Sequence, residues 1–241
     1  MKVAFWLSAG LLVYTQAGYG LLLAALSRLR RPLPAPAPAT PPTVSVVVAA
    51  YAEEAVIGSK VANTLALDYP RERLEIVVAC DGSPDATPAL ARSAGADLVL
   101  ELPRGGKIRA QDAAVAQARG EIVAFSDANA VWEPDALRRL VEPFADPRVG
   151  YACGQVRFVN DAGTNEEGLY WRYEMWLRAM ESRLASVTGG NGAIYATRKE
   201  DYLVVDPVMG HDLSFPFNMV KRGRRAVYAS AARAKPTWPQ A

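Results

Sequence analysis

The order of apolar and polar positions divides the chain into three stretches. Residues 3–26 hold 24 consecutive positions without a charge, rich in Leu, Val, Ala and aromatics, and as one helix they reach across the ~30 Å of a bilayer's hydrocarbon. A cleaved secretory signal is the competing reading, encouraged by the alternating Ala and Pro at 35–39. Against it, the apolar run is longer than the ~7–15 residues of a signal core, and Lys2 is the only charge ahead of it. Arg28, Arg30 and Arg31 follow directly, and basic residues behind a span hold that side in the cytoplasm. The expectation is a single-pass anchor with its basic flank over residues 1–31, in the inner (cytoplasmic) membrane, with the rest of the chain cytoplasmic. Residues 32–43 contain six prolines, so the expectation there is an extended spacer that holds the globular part off the bilayer and marks the domain boundary.

From residue 44 onward short apolar runs alternate with segments of helical period. The pattern predicts strands at 44–50, 74–80, 97–102, 121–126 and 149–159, with helices at 53–67, 84–95, 107–119 and 134–145 between them. Strands separated by helices of this length predict an α/β domain over 44–241: a mainly parallel sheet with helices on both faces. Further on, residues 165–186 carry Leu169, Tyr173, Trp176, Leu177, Met180 and Leu184 at helical spacing, an amphipathic helix whose aromatics are read as core in preference to a carbohydrate platform. A glycine cluster at 189–192 breaks it. A short strand at 193–197, an irregular stretch at 199–207, a helix at 212–223 and a last strand at 225–230 complete the pattern.

Composition narrows the chemistry. A formal net charge of +2 gives no basic excess for a nucleic-acid footprint, so no nucleic-acid partner is expected. The two cysteines, Cys80 and Cys153, lie in separate strand-like runs without metal-ligand spacing, which predicts buried free thiols. With one histidine, His211, a His-rich metal site is excluded. Lys221, Arg222, Arg224 and Arg225 form a basic cluster that reads as a solvated face or, given an upstream anchor, a contact for anionic lipid.

Acids gather where predicted strands end. Tyr51, Ala52, Glu53 and Glu54 follow the first, Asp81 closes the second, and Asp127 closes the fourth, with Asn129 two residues on. In an open α/β sheet these ends share one edge, where ligands bind, so Glu53, Asp81 and Asp127 should meet in one crevice. Asp127 and Asn129 are oxygen donors suited to Mg2+ or Mn2+, or else turn formers ahead of the next helix. No GxGxxG follows the first strand, which argues against a dinucleotide-binding dehydrogenase. Acids at the first two ends can accept from a ribose hydroxyl and a base N–H while a cation at the third neutralises a diphosphate, an arrangement that suits a sugar nucleotide.

Taken in order, these motifs resemble glycosyltransferase family 2, a membrane-anchored bacterial type with the GT-A fold, over residues 44–231. Residues 44–54 resemble its opening strand and P-x-Y-N-E-E-like turn, with Ala50 and Ala52 at the usual Pro and Asn positions. Asp81, Gly82 and Ser83 resemble its D-G-S element, and Gly105, Gly106 and Lys107 its G-G-K, with Asp112 where the family usually has Asn. Asp127 and Asn129 are similar to its D-x-D cation element. Gly190, Asn191 and Gly192 fall in what looks like the acceptor-side loop, and Asp212 matches the second acid of the acidic pair, with His211 in place of the first.

The resemblance implies nucleotide binding by Tyr51, Glu53, Asp81 and Lys107, a cation (Mg2+ or Mn2+) on Asp127 and Asn129, and Asp212 as catalytic base. Without it, Asp212 would read as a helix N-cap and Lys107 as a solvated charge. The implied reaction is inverting transfer from a nucleoside-diphosphate sugar, expected to be UDP-linked, to a hydroxyl of a glycan or lipid. The processive members' Q-x-x-R-W element is missing from the 29 residues after Asp212, so the expectation is non-processive transfer or a chain truncated at its C-terminus. A membrane-tethered, non-catalytic nucleotide-sugar-binding module is the alternative, favoured by Asp112 and His211.

Overall fold

The computed structural model describes residues 2–29, 40–157, 168–206 and 208–236. In chain order the strands are β1 (Val44–Ala50), β2 (Leu74–Asp81), β3 (Leu98–Leu102), β4 (Ile122–Asp127), β5 (Ala130–Trp132), β6 (Val149–Val156), β7 (Tyr195–Arg198) and β8 (Arg225–Pro236). The helices are α1 (Lys2–Val13), α2 (Tyr19–Leu29), α3 (Ile57–Leu65), α4 (Thr87–Ser93), α5 (Lys107–Gln117), α6 (Ala136–Val141), α7 (Leu169–Leu184) and α8 (His211–Lys221). A π-helical turn, Tyr14–Gly18, joins α1 to α2.

All eight strands lie in one sheet, in the order β3-β2-β1-β4-β7-β6-β8-β5. The half built from β3, β2, β1 and β4 is parallel, as the strand–helix alternation predicts. Beyond β4 the sheet is mixed, because β7 runs antiparallel to both β4 and β6 while β8 is parallel to β6. Alternate β1 side chains serve opposite faces: Val44, Val46 and Val48 join Ile57, Val61, Leu137 and Leu140 on one, and Val47 joins Ala114, Val115, Phe215 and Met219 on the other. Helices therefore cover both faces. Register sets the functional edge: Ala49 lies opposite Asp127 and Ala50 opposite Cys80, so β1, β2 and β4 end level. Cys80 and Cys153 are buried free thiols, pushed up to about 11 and about 12 by burial.

Several boundaries differ from the sequence reading. α3 starts at Ile57, not residue 53, because Ala52 has φ +53° and the chain turns there first. The helix expected at 84–95 shortens to α4, since the Asp85 carboxylate takes the Thr87 N–H and hydroxyl into a side-chain turn. Pro143 lacks the donor for an α-helical ladder, and the last part of the 134–145 helix becomes a 3-10 turn, Glu142–Ala145. β5 was not anticipated. β8 extends to Pro236 because its second half pairs with β5 and, past a register shift, with the end of β6. Residues 32–39 of the proline tract, 158–159 and 165–167 lie outside the described residues.

Lys2–Leu29 is 28 residues long, long and apolar enough to cross a membrane. Its second half is docked on α7. The Tyr173 hydroxyl donates to the Gln16 carbonyl at 2.6 Å, the Tyr19 hydroxyl to Glu181 at 3.0 Å, and a Cβ on Gly20 would stand 2.8 Å from the Tyr173 hydroxyl and 2.9 Å from the Trp176 ring. The aromatic stripe of α7 thus meets α2, a correction to its reading as domain core; Met175 and Met180 are the buried members of α7. The second half of the apolar helix thus touches the domain at α7, while residues 32–39 of the spacer lie outside the described residues.

Candidate functional site

The level ends of β1, β2 and β4 open a cleft lined by Tyr51, Glu53, Asp81, Arg104, Lys107, Asp127 and Asn129, with Ala49, Ala50 and Ala128 beneath. Six residues expected from sequence are therefore brought together here. The turn after β1 is fastened to the α4 side: the Ala52 N–H donates to Ser83 Oγ at 3.3 Å and the Glu53 N–H to Thr87 Oγ1 at 2.9 Å. Burial, and then the nearby negative charge of Asp127 and Asp85, hold the Glu53 carboxyl above its ordinary value.

Asp81 is 3% exposed and its carboxylate organises the opposite wall. It accepts from Arg104 Nη1 at 2.8 Å, from the Gly105 N–H at 2.6 Å and from the Gly106 N–H at 2.9 Å. Arg104 in turn lies over the Tyr51 ring, 3.3 Å from its centroid. Gly82 has φ +66°, and a Cβ there would come within 2.8 Å of the Arg104 backbone nitrogen, so the glycine of this motif is needed twice over. Arg104 was missed in the sequence. Its signal was a basic residue directly before the glycine pair, and only the fold shows that it reaches back to Asp81.

Lys107 opens α5 and pairs with Asp127 Oδ1 across the mouth of the cleft. Asp127 already accepts one cation, and it and Asn129 present the hard oxygen donors that Mg2+ or Mn2+ prefers. Among the described residues no three His, Cys, Asp or Glu side chains cluster as a complete cage. The donor set fits a cation that takes its remaining ligands from water and a bound diphosphate, as Mg2+ commonly does.

The 189–192 loop adjoins this wall. A Cβ on Gly192 would sit 3.4 Å from Lys107 Nζ and 3.8 Å from Asp127 Oδ2. Gly190 donates its N–H to the Asp212 carbonyl at 2.7 Å and packs on the Tyr151 hydroxyl so closely that no Cβ would fit. Asn191 holds the loop itself, donating to the Gly154 carbonyl at 2.7 Å and accepting from the Ile194 N–H at 2.9 Å. Asp212 is the second residue of α8, whose cap is Gly210, so it is not the N-cap; its carboxylate accepts from the Leu213 N–H at 3.1 Å. It does not line the cleft around Asp127. The two acids are joined through a loop in which Gly190 and Gly192 stand two residues apart, ~7 Å at full extension.

Two departures from the family pattern have local explanations. His211 is 4% exposed within an aromatic cage of Phe125, Tyr195, Tyr202 and Phe215, and its Nδ1 shares a 2.8 Å hydrogen bond with the Tyr195 hydroxyl. Burial, with Lys107 nearby, lowers it to about 4, so it is neutral at pH 7. Asp112 turns away from the cleft and accepts the Tyr202 hydroxyl at 2.7 Å. Burial raises its carboxyl, and the Tyr202 bond opposes the shift.

Comparison with known proteins follows the same outline. The family model for glycosyl transferase family 2 matches residues 45–203. A beta-monoglucosyldiacylglycerol synthase from Synechocystis sp. is 36% identical over 217 residues, covering 79% of this chain and 42% of the relative. An N-acetylglucosaminyltransferase from Rhizobium leguminosarum bv. viciae is 31% identical over 154 residues, 62% of this chain and 36% of the relative. The chain thus spans less than half the length of these curated relatives. Among solved structures, a mannosyltransferase from Pyrobaculum calidifontis in complex with GDP-Man and Mn2+ superposes with TM-score 0.79 at 29% identity, covering 96% of this chain and 68% of that one. A glucosyl-3-phosphoglycerate synthase from Mycobacterium tuberculosis shares the fold, with TM-score 0.53 at 21% identity, 83% of this chain and 73% of that one.

Proposed function

This chain belongs to glycosyl transferase family 2 and has the GT-A fold, and from that premise we propose that it transfers a sugar, with inversion, from a nucleoside-diphosphate sugar to a hydroxyl of a lipid or glycan at the membrane. The observation that carries the reading is the loop that approaches the Lys107–Asp127 pair at Gly192, where an added Cβ would reach van der Waals contact, and bonds to the Asp212 backbone at Gly190. In this reading the diphosphate lies against Lys107 and Asp127 and the sugar lies along the loop, between that pair and Asp212.

Each residue then has a task. Tyr51, Glu53 and the wall organised by Asp81 hold the nucleoside, and Arg104 and Lys107 offset the diphosphate charge. Asp127 and Asn129 would hold a divalent cation, which when bound supplies Lewis-acid neutralisation of the leaving diphosphate. Asp212 accepts the proton of the acceptor hydroxyl as that oxygen bonds to the anomeric carbon; the bond from this carbon to the phosphate oxygen breaks, and the nucleoside diphosphate departs with the electron pair. His211, neutral and enclosed, does not compete for the proton. The apolar helix Lys2–Leu29 and the basic residues Arg28, Arg30 and Arg31 at its end support placement at the cytoplasmic face of the inner membrane.

The test is transfer and donor binding with a panel of UDP- and GDP-sugars, with and without Mn2+. Asp212→Asn is expected to lower turnover by ~10²–10⁴-fold while donor affinity stays within about twofold. Asp127→Ala is expected to abolish the Mn2+ dependence of donor binding. Full turnover by Asp212→Asn, or equal loss of donor binding in both variants, would overturn the assignment.

A further inference from the structure

Helix α3 lies under the turn that carries Asp127 and Asn129 and is fastened to it at two points. Lys60, 2% exposed, donates from Nζ to the Ala130 carbonyl at 2.8 Å and lies 4.8 Å over the Trp132 ring. Three residues on, and so on the same helical face, Asn63 grips Trp132 from both sides: its Nδ2 donates to the Trp132 carbonyl at 3.0 Å and its Oδ1 accepts the Trp132 N–H at 2.9 Å. Asn63 thus supplies to β5 what a neighbouring strand would.

The need for this is plain in the length of β5. Three residues, paired on one side with the end of β8, make a weak strand, yet it begins directly after Asn129. Its anchoring continues across the site, for Trp132 Nε1 donates to the Ala193 carbonyl at 3.1 Å, and Ser126 Oγ donates to the same oxygen at 3.3 Å. The 189–192 loop and the cation turn therefore share one support. An apolar side chain would fill the space of Lys60 at lower cost, since a buried amine is stripped of water. What the lysine adds is a donor to the Ala130 carbonyl.

We propose that Lys60 and Asn63 are positioning residues for cation binding: they fix β5 and, through it, the backbone that aims Asp127 and Asn129. The inference rests on the reading of those two residues as the cation's protein ligands. Groups that orient a metal's ligands act on its affinity without touching it, and loss of a direct hydrogen-bond partner of a ligand commonly costs ~10–100-fold. Lys60 and Asn63 act one step further along the backbone, at Ala130 and Trp132, which sets the expectation at the low end.

The test uses the full chain in detergent, with Mn2+ titrated calorimetrically in the presence of UDP and, in a second series, GDP. Lys60→Met keeps length and packing but removes the donor; Asn63→Ala removes both bonds to Trp132. Val61→Ala, on the same helix at a fully buried position outside these bonds, serves as the control for lost stability. Expected are a ~10-fold weaker Mn2+ affinity in the first two variants and faster amide exchange over residues 127–132 without metal, with neither change in Val61→Ala at matched melting temperature. Wild-type Mn2+ affinity in Lys60→Met and Asn63→Ala, or an equal loss in Val61→Ala, would overturn the inference alone. Absence of Mn2+ binding in the wild type would overturn it together with the site reading.

Discussion

Lys107 Nζ is paired with Asp127 Oδ1, joining the first residue of α5 to the last residue of β4 across the mouth of the cleft. The side chains are 46% and 34% exposed, so water screens the pair and its share of stability is small, ~0–1 kcal/mol. Its place at the cleft mouth points to ligand binding instead. Lys107→Met is expected to leave the melting temperature almost unchanged and to weaken nucleoside-diphosphate binding by roughly tenfold, the loss of one charge-assisted contact. Calorimetry with UDP and GDP checks it; a large thermal loss with unchanged affinity would make the pair structural.

Ala52 sits at φ +53°, a left-handed conformation that costs an L-residue with a Cβ ~1–2 kcal/mol. The family pattern has Asn here, a residue that tolerates this conformation. Ala52→Gly is expected to raise stability by up to ~1 kcal/mol, the strain relief less the added chain entropy of the unfolded state. Because Ala52 is not among the residues lining the cleft, donor affinity should not move. A lower melting temperature would contradict this account.

His211 gives a pH signature. Its folded value is lowered to about 4 from the ordinary 6.5, so between these limits the unfolded chain binds a proton that the folded chain does not. Stability therefore rises with pH through that window and is lost as pH falls from 6.5 toward 4. His211→Gln should remove this part of the slope, up to ~1 kcal/mol per pH unit. Denaturant midpoints at pH 7.5, 6 and 5 measure it, and parallel profiles for the two proteins would rule it out.

At Gly20 α2 and α7 leave no room for a side chain. Gly20→Leu would drive a side chain into Tyr173 and Trp176, and the expected result is separation of the helices: faster amide exchange along α7 and a stability loss of ~1–3 kcal/mol. Unchanged exchange in α7 would show that the contact does not hold the helix.

The sequence alone determined what depends on local period and local chemistry. Seven of the strands, the helix positions between them and the apolar N-terminal helix follow from which side chains can be buried along a strand or on one helical face. The convergence of Glu53, Asp81 and Asp127 followed as well, since parallel strands in register bring their ends to one edge whatever lies between them, while Tyr51, Lys107 and Asn129 were expected beside them from the family resemblance. Tertiary structure decided what depends on partners distant in the chain. β5 is three residues long and exists because Asn63 and the end of β8 supply its hydrogen bonds, which no local pattern encodes. Arg104 reaches back to Asp81 because Gly82 lets the backbones meet, and α7 turns its aromatics to α2 because Gly20 leaves room for the rings. Pairings of this kind are fixed by three-dimensional proximity, and neither residue of the pair carries a mark of the other in its own stretch of sequence.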